Sequence, residues 1–316
     1  MLNYLIFRTI KGALTFLAAV TLTFLILRLM PGDPTTIFIS DSMSPEDVAA
    51  LNVTLGLDRS IPEQYVIFLR NLAQLELGQS FFYKEPVIDI IGPRLLWTLL
   101  LVGTALALTV AIGVPFGIFS AVHRGKALDQ AITTGTVIGI SIFIPLLAFV
   151  LIYFFSLQLG LTPVGGAYSP GQDDGLVLNV LKHMILPVAT LVIVSLAQVV
   201  LFTRSSMLDV LKEDYIRTAR AKGADERRVL WGHAIRNAMI PTVTIVGLMI
   251  GKMVAGAVLT ETIFAWPGIG SMIYEGVQKQ DFPLLQGAFI VLAFSVIVMT
   301  LITDLVVAWL DPRVKL

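Results

Sequence analysis

Residues 95–121 read LLWTLLLVGTALALTVAIGVPFGIFSA, a run without one charged side chain. A helix needs about 20 residues to cross the hydrocarbon of a bilayer, so this run is long enough to span it. Within lipid each backbone amide and carbonyl must find its partner inside the segment, which makes helix obligatory there. Working outward, five further runs reach spanning length: Gly12 to Leu29, Ala131 to Leu159, Met184 to Phe202, Met239 to Leu259 and Gly287 to Leu310. The fold class is therefore all-α: a polytopic membrane protein with six transmembrane helices. Pro115, Pro145 and Pro187 lie inside these runs and are read as kinks tolerated by neighbouring helices.

Composition agrees with lipid as the solvent. The chain is 56% hydrophobic and 14% charged, with a mean hydropathy of +0.85, against about 25% charged in soluble domains. Nucleic-acid binding gains no support from 22 basic residues balanced by 22 acidic ones. With no cysteine, disulfides, thiolate catalysis and cysteine-ligated metals are excluded for this chain. His123, His183 and His233 are far apart and belong to no metal motif, and no H-E-x-x-H or G-x-S-x-G occurs. No catalytic residue and no metal ligand is assigned. At the N-terminus, Arg8 and Lys11 precede the apolar run Gly12 to Leu27, but no small-residue cleavage site follows. An uncleaved first transmembrane helix is expected.

Charge placement orients the spans. With the N-terminus inside, the inner segments collect 14 of the 22 basic residues, eight of them between Arg204 and Arg236, while Asp33, Asp41, Glu46, Asp47, Asp173 and Asp174 fall outside. The positive-inside bias puts both termini in the cytoplasm. Three regions follow: residues 1–30 as the first span, 31–94 as an extracytoplasmic helical subdomain, and 95–316 as a core that includes a cytoplasmic loop at 203–237. In the subdomain, Ser44-Pro-Glu-Asp-Val predicts one helix start, and Ser60 with Pro62 predicts another, running from Ile61 to Leu75 with Tyr65, Phe68, Leu69 and Leu72 on one face.

The loop from Arg204 to Asn237 is rich in helix formers and is broken once, at Gly223. A helix ending on Gly223 in the left-handed conformation, with a second opened by Asp225 and Glu226, predicts a helix-turn-helix elbow. Ala219, Ala221, Gly223 and Ala224 make its tip narrow, and Arg217, Lys222, Arg227 and Arg228 ring it with charge. A basic loop lying on anionic lipid is the plain alternative.

Asp214-Tyr-Ile-Arg-Thr-Ala-Arg-Ala-Lys-Gly223, followed by His233-Ala-Ile-Arg-Asn-Ala-Met-Ile-Pro241, resembles the cytoplasmic loop of ABC-importer permeases. Arg217-Thr218-Ala219 stands where the family's Glu-Ala-Ala would, and Arg236 where the loop's usual proline would. The particular branch resembled is the first permease of the dipeptide, oligopeptide and glutathione importers. Pro31-Gly-Asp-Pro34, Leu55-Gly-Leu-Asp58, Leu77-Gly-Gln-Ser80, Leu159-Gly-Leu-Thr-Pro-Val-Gly-Gly166, Phe264-Ala-Trp-Pro-Gly-Ile-Gly270 and Asp311-Pro-Arg313 carry the resemblance along essentially the whole chain.

That resemblance implies a type I ABC-importer permease fold in the bacterial inner membrane, moving peptides by alternating access. It makes the elbow a coupling helix seated in an ATPase subunit, with Arg217, Thr218, Ala219, Lys222, Gly223, Ala224, Asp225 and Arg228 as contact residues. It also implies as partners a second homologous permease, two ATP-binding subunits and a periplasmic or lipid-anchored substrate-binding protein, beside the membrane lipids. ATP and magnesium would be bound by those partners, since no G-x-x-x-x-G-K-[ST] loop occurs here and the chain itself takes no cofactor. Nickel chelates and oligosaccharides remain alternative solutes for the branch. An ATP-independent secondary transporter or channel is the alternative from another class.

Two charges lie inside expected spans, Lys252 in the fifth and Asp304 in the sixth, at an insertion cost of about 2.5–3.5 kcal/mol each. They are candidates for the translocation pathway, or for a strut in which they pair with each other. Gly113 with Gly117, and Gly247 with Gly251, have the four-residue spacing of close helix contact; packing within the chain is favoured over a subunit interface. Trp266 in the outer Trp-Pro-Gly-Ile-Gly stretch reads equally as part of a gate or as an interfacial anchor.

Overall fold

The apolar runs fold as helices longer than the hydrocarbon requires. The computed structural model describes residues 2–29, 59–171 and 175–310, so the helix expected at Ser44 lies outside the described residues. In chain order the helices are α1 (Leu2–Leu29), α2 (Ile61–Ala73), α3 (Val87–Val122), α4 (Ala127–Ser141) and α5 (Ile144–Leu151), which continues as π-helical turns Ile152–Gln158. Then come α6 (Leu176–Val210), α7 (Asp214–Ala221) and the single turn α8 (Glu226–Arg228). A π-helical segment, Val229–Ala234, leads on into α9 (Ile235–Ile263), and α10 (Ile269–Gln278) and α11 (Phe282–Leu310) complete the order. Among the described residues, α1, α3, α6, the stretch Glu226–Ile263 and α11 are each long and apolar enough to cross a membrane.

The sixth crossing is different. The run expected as one helix from Ala131 to Leu159 breaks after Ser141, and its two arms, α4 and α5 with its π-helical continuation, are bent by 102°. Pro145, read from sequence as a kink, instead opens a new helix as one of its first residues. In a continuous helix its ring would clash with the Ser141 carbonyl four residues back, whereas in a first turn its missing amide leaves no bond unmade. The helix accordingly ends at Ser141, and Ile142 and Phe143 are extended, with ψ of 130° and 123°. Pro115 and Pro187, by contrast, sit within unbroken α3 and α6.

α3 lies along α6, α6 also packs on α4 and α9, α9 packs on α11, and α11 packs on α1. Glycine sets how closely α3 and α6 approach: a Cβ at Gly117 would lie 2.6 Å from that of Thr203, and one at Gly113 would lie 2.9 Å from that of Val199. Gly247 likewise abuts Thr303 of α11, so the small-residue spacings serve packing within the chain. The central core joins Leu101 and Ala105 of α3, Met184 and Leu191 of α6, and Met253 and Ala257 of α9.

At the outer end, α2 begins as the sequence predicts, with the Ser60 amide donating to the Glu63 carboxylate at 3.1 Å. It rests on α1 through Tyr65 and Phe68, whose rings sit 5.2 and 5.4 Å from that of Phe24. Trp266 is fully buried against the central core, and its indole donates to the Trp97 carbonyl at 3.1 Å. Burial overturns the interfacial-anchor reading. Around it stands a set of buried polar contacts. Glu261 accepts from Thr98 Oγ1 at 2.7 Å and from the Gly270 amide at 2.6 Å, and so caps the start of α10. Asp281 accepts from the Leu284 amide at 3.1 Å, capping α11, and from Ser80 Oγ at 2.5 Å and the Phe82 amide at 3.0 Å.

Candidate functional site

The elbow grows out of the inner end of the bundle. α6 runs to Val210, and α7 opens with Asp214 in its first turn and closes with Arg220 in its last, the charge order that a helix dipole favours. Lys222 is the C-cap, and Gly223 follows at φ +79°. The Gly223 amide donates to the Arg220 carbonyl at 3.0 Å and the Ala224 amide to the Ala219 carbonyl at 3.2 Å, the paired bonds of a Schellman closure. Asp225 then starts the next turn, its carboxylate accepting from the Arg228 amide at 2.9 Å. Arg220 bridges the two arms to Glu226 at 2.7 and 3.2 Å. Both caps stand where the residues predict them.

Three fully buried side chains root the elbow. Ile216 of α7 and Val229 and Ala234 of the returning segment pack with Met207 of α6 and Ala121 of α3. Beneath them Arg204, one of the eight basic residues that the sequence places on the inner side in this loop, is tied up by Asp129 of α4 at 2.7 and 2.8 Å. Asp129 is itself buried and also accepts from Ser120 Oγ and the Gly125 amide. The pair therefore locks the turn between α3 and α4 to the end of α6.

The tip itself is open to solvent. Arg217, Thr218, Lys222, Gly223, Asp225 and Arg228 are exposed, and Ala219 and Ala224 are half-buried. Arg217 makes only a surface pair with Asp214 at 3.5 Å. Two shallow grooves flank the tip. One, of 620 Å³, runs past Gly223, Ala224, Asp225 and Arg228 to Trp231; the other, of 480 Å³, runs past Thr218, Ala219 and Lys222 to His233. Seven of the eight residues expected at the contact line one groove or the other; Arg217 lines neither. Trp231, 69% exposed, was missed from the sequence. The signal was a tryptophan just after Arg227 and Arg228, hidden because the π-helical turns Val229–Ala234 shift the helical register that would have marked its face.

The two intramembrane charges are not brought together. Asp304 pairs with Arg8 of α1 at 3.1 Å, so the strut it forms joins α1 to α11 and not α9 to α11. Lys252 instead faces outward from α9 beside a groove of 160 Å³ lined also by Ser195 and Gln198 of α6 and by Ile140 and Ile144 on either side of the broken helix.

Comparison with known proteins bears on both sites. Residues 113–316 match the model of a family described as the binding-protein-dependent transport system inner membrane component, and residues 1–102 match the model of its N-terminal region. A putative peptide permease of Brucella suis is 40% identical over the whole of this chain and 99% of its own length. The dipeptide transport system permease of Escherichia coli is 37% identical, again over the whole chain and 99% of that protein. The oligopeptide transport system permease of Bacillus subtilis is 37% identical with both chains fully covered. Among solved structures, an inward-facing methionine ABC transporter superposes with a TM-score of 0.58 at 16% identity, covering 72% of this chain and 99% of that one. That last likeness concerns the fold alone.

Proposed function

The chain belongs to the family of binding-protein-dependent transport system inner membrane components, and from that premise we propose that its cargo is a peptide and that the elbow is its contact with the ATPase subunits. It is a permease subunit of an ABC importer in the inner membrane. The names borne by the dipeptide, oligopeptide and peptide permeases related to it support a peptide as solute. A second homologous permease would complete the pathway, two ATP-binding subunits would bind ATP and magnesium, and a substrate-binding protein would deliver cargo from outside.

The observation that carries the coupling assignment is a stiff elbow with a bare tip. Its root is anchored by Ile216, Val229 and Ala234, its turn is closed by backbone bonds, and its tip is small and exposed. A lever of that kind can pass movement of a partner to packed helices without touching nucleotide. Thr218, Ala219, Lys222, Gly223, Ala224, Asp225 and Arg228 would meet the ATPase, with Arg217 at the edge and Trp231 extending the contact. The pathway would run on the side of Lys252, whereas Asp304 is engaged by Arg8.

The test is Gly223→Trp in the assembled importer, reconstituted with its ATPase subunits and binding protein. Apart from the adjacent residues, no atom lies within 4 Å of where a Cβ at Gly223 would be, so the bulk protrudes toward the partner and the fold bears only the backbone strain of a side chain at φ +79°. ATP-driven uptake of trialanine is expected to fall to background while the complex still inserts and purifies. Undiminished uptake would falsify the coupling assignment, and uptake by the unmodified complex without ATP would point to the secondary-transporter class instead.

A further inference from the structure

Lys252 stands eleven residues before Ile263, the end of α9, which at 1.5 Å per residue is about 16 Å along the helix. That is near the middle of hydrocarbon roughly 30 Å thick, too deep for its four-carbon stem to carry the ammonium to either interface. The side chain is exposed at the surface of the chain. Ser195 and Gln198, one turn apart on α6, open onto the same groove. None of the three makes a hydrogen bond or an ion pair among the described residues, and no acidic side chain lines the groove. An ammonium and two polar groups facing lipid tails without partners would cost several kcal/mol. This face therefore borders water or a polar occupant.

The break between α4 and α5 lies against the same groove, with Ile140 before it and Ile144 after it both on the wall. Interrupted helix at membrane depth is tolerated where it is covered by protein or lines a cavity. The break and the stranded ammonium therefore point to the same opening. The wall is otherwise apolar, with Leu191, Met249 and Met253 facing the groove. A site with one cation, two neutral polar groups and aliphatic walls suits a small solute that carries a carboxylate and short side chains.

We propose that this groove is a passage site in which Lys252 receives the C-terminal carboxylate of the peptide cargo, with Gln198 and Ser195 hydrogen-bonding its last peptide unit. The inference rests on the peptide-importer reading and adds which end of the cargo is recognised and by which side chain.

The experiment measures equilibrium binding of trialanine and of trialanine amide to the purified, nucleotide-free complex without its binding protein, so that selection by the latter does not enter. The unmodified complex is expected to prefer the free acid. Lys252→Met should weaken binding of the acid about tenfold or more and that of the amide less than twofold, and Lys252→Arg should restore most of the preference. Equal loss for both peptides, no loss for either, or no binding to the unmodified complex would each overturn the proposal. So would failure of both Lys252→Met and Lys252→Gln to assemble, which would make Lys252 a strut to the second permease. ATP-driven uptake of trialanine by the unmodified complex, measured separately, tests the importer reading by itself and can succeed while the carboxylate site fails.

Discussion

The elbow at the inner end and the cap at the outer end are both short helices inserted between long ones, yet their turns are closed in opposite ways. The elbow is closed by contacts a few residues apart, such as Ala224 to Ala219 and Arg220 to Glu226, most of them open to water. The cap is closed by buried side chains that reach across the chain: Glu261 to Thr98, Trp266 to Trp97 and Asp281 to Ser80, the last pair 201 positions apart. A locally closed element keeps its shape when it moves relative to the rest. An element knitted by distant buried bonds cannot shift without breaking them, so the cap is tied to the bundle throughout, whereas the elbow is tied only at its buried root and its tip projects into solvent.

Breaking the cap should have the largest effect. Glu261→Ala strands the Thr98 hydroxyl and the Gly270 amide in a buried site, at about 1–3 kcal/mol for each unsatisfied group. A clear fall in the thermal midpoint of the detergent-solubilised chain, followed by tryptophan fluorescence because Trp266 packs beside it, is the expected result; an unchanged midpoint would mean that the cap is not knitted in this way. Asp281→Ala should follow at about 1–3 kcal/mol, from loss of the α11 cap and of the tie to Ser80 and Phe82. Limited proteolysis should then cut the 78–86 loop faster than in the unmodified chain.

The elbow should yield much smaller losses of stability. Gly223→Ala places a side chain at φ +79°, at about 1–2 kcal/mol of backbone strain, with open space around the new methyl group. Its thermal midpoint should drop less than that of Glu261→Ala, while ATP-driven uptake drops more than the stability change explains. Proportional changes in the two would remove the functional distinction between elbow and cap. Arg220→Ala should be the mildest, since its pair with Glu226 is solvent-exposed and such pairs contribute about 0–1 kcal/mol. A loss above that range would show that the two arms depend on the ion pair and not on the backbone closure.

The same contrast explains what was legible beforehand. The spans, the elbow, the left-handed glycine at 223 and the Asp225 cap were all readable, because each depends on residues within one or two turns of each other. Pro145 was recognised but misjudged. A proline in an apolar run reads as a kink, and whether the helix bends or ends depends on what the flanking residues pack against. Trp266 looked interfacial for a similar reason, since aromatic residues at a span's end often are. Its burial comes from α3 and α6, which no local window contains.

Sequence by itself therefore determined the solvent, the helices, the orientation and the shape of the elbow, since hydropathy, charge placement and capping act over a few residues. Tertiary structure alone decided which charges are spent and which are left. Arg204 is taken by Asp129 and Asp304 by Arg8, while Lys252 is left facing a groove. A charge is neutralised by whatever the fold brings within a few ångströms of it, and for residues 75 positions apart, as Arg204 and Asp129 are, that proximity exists only once the helices have packed.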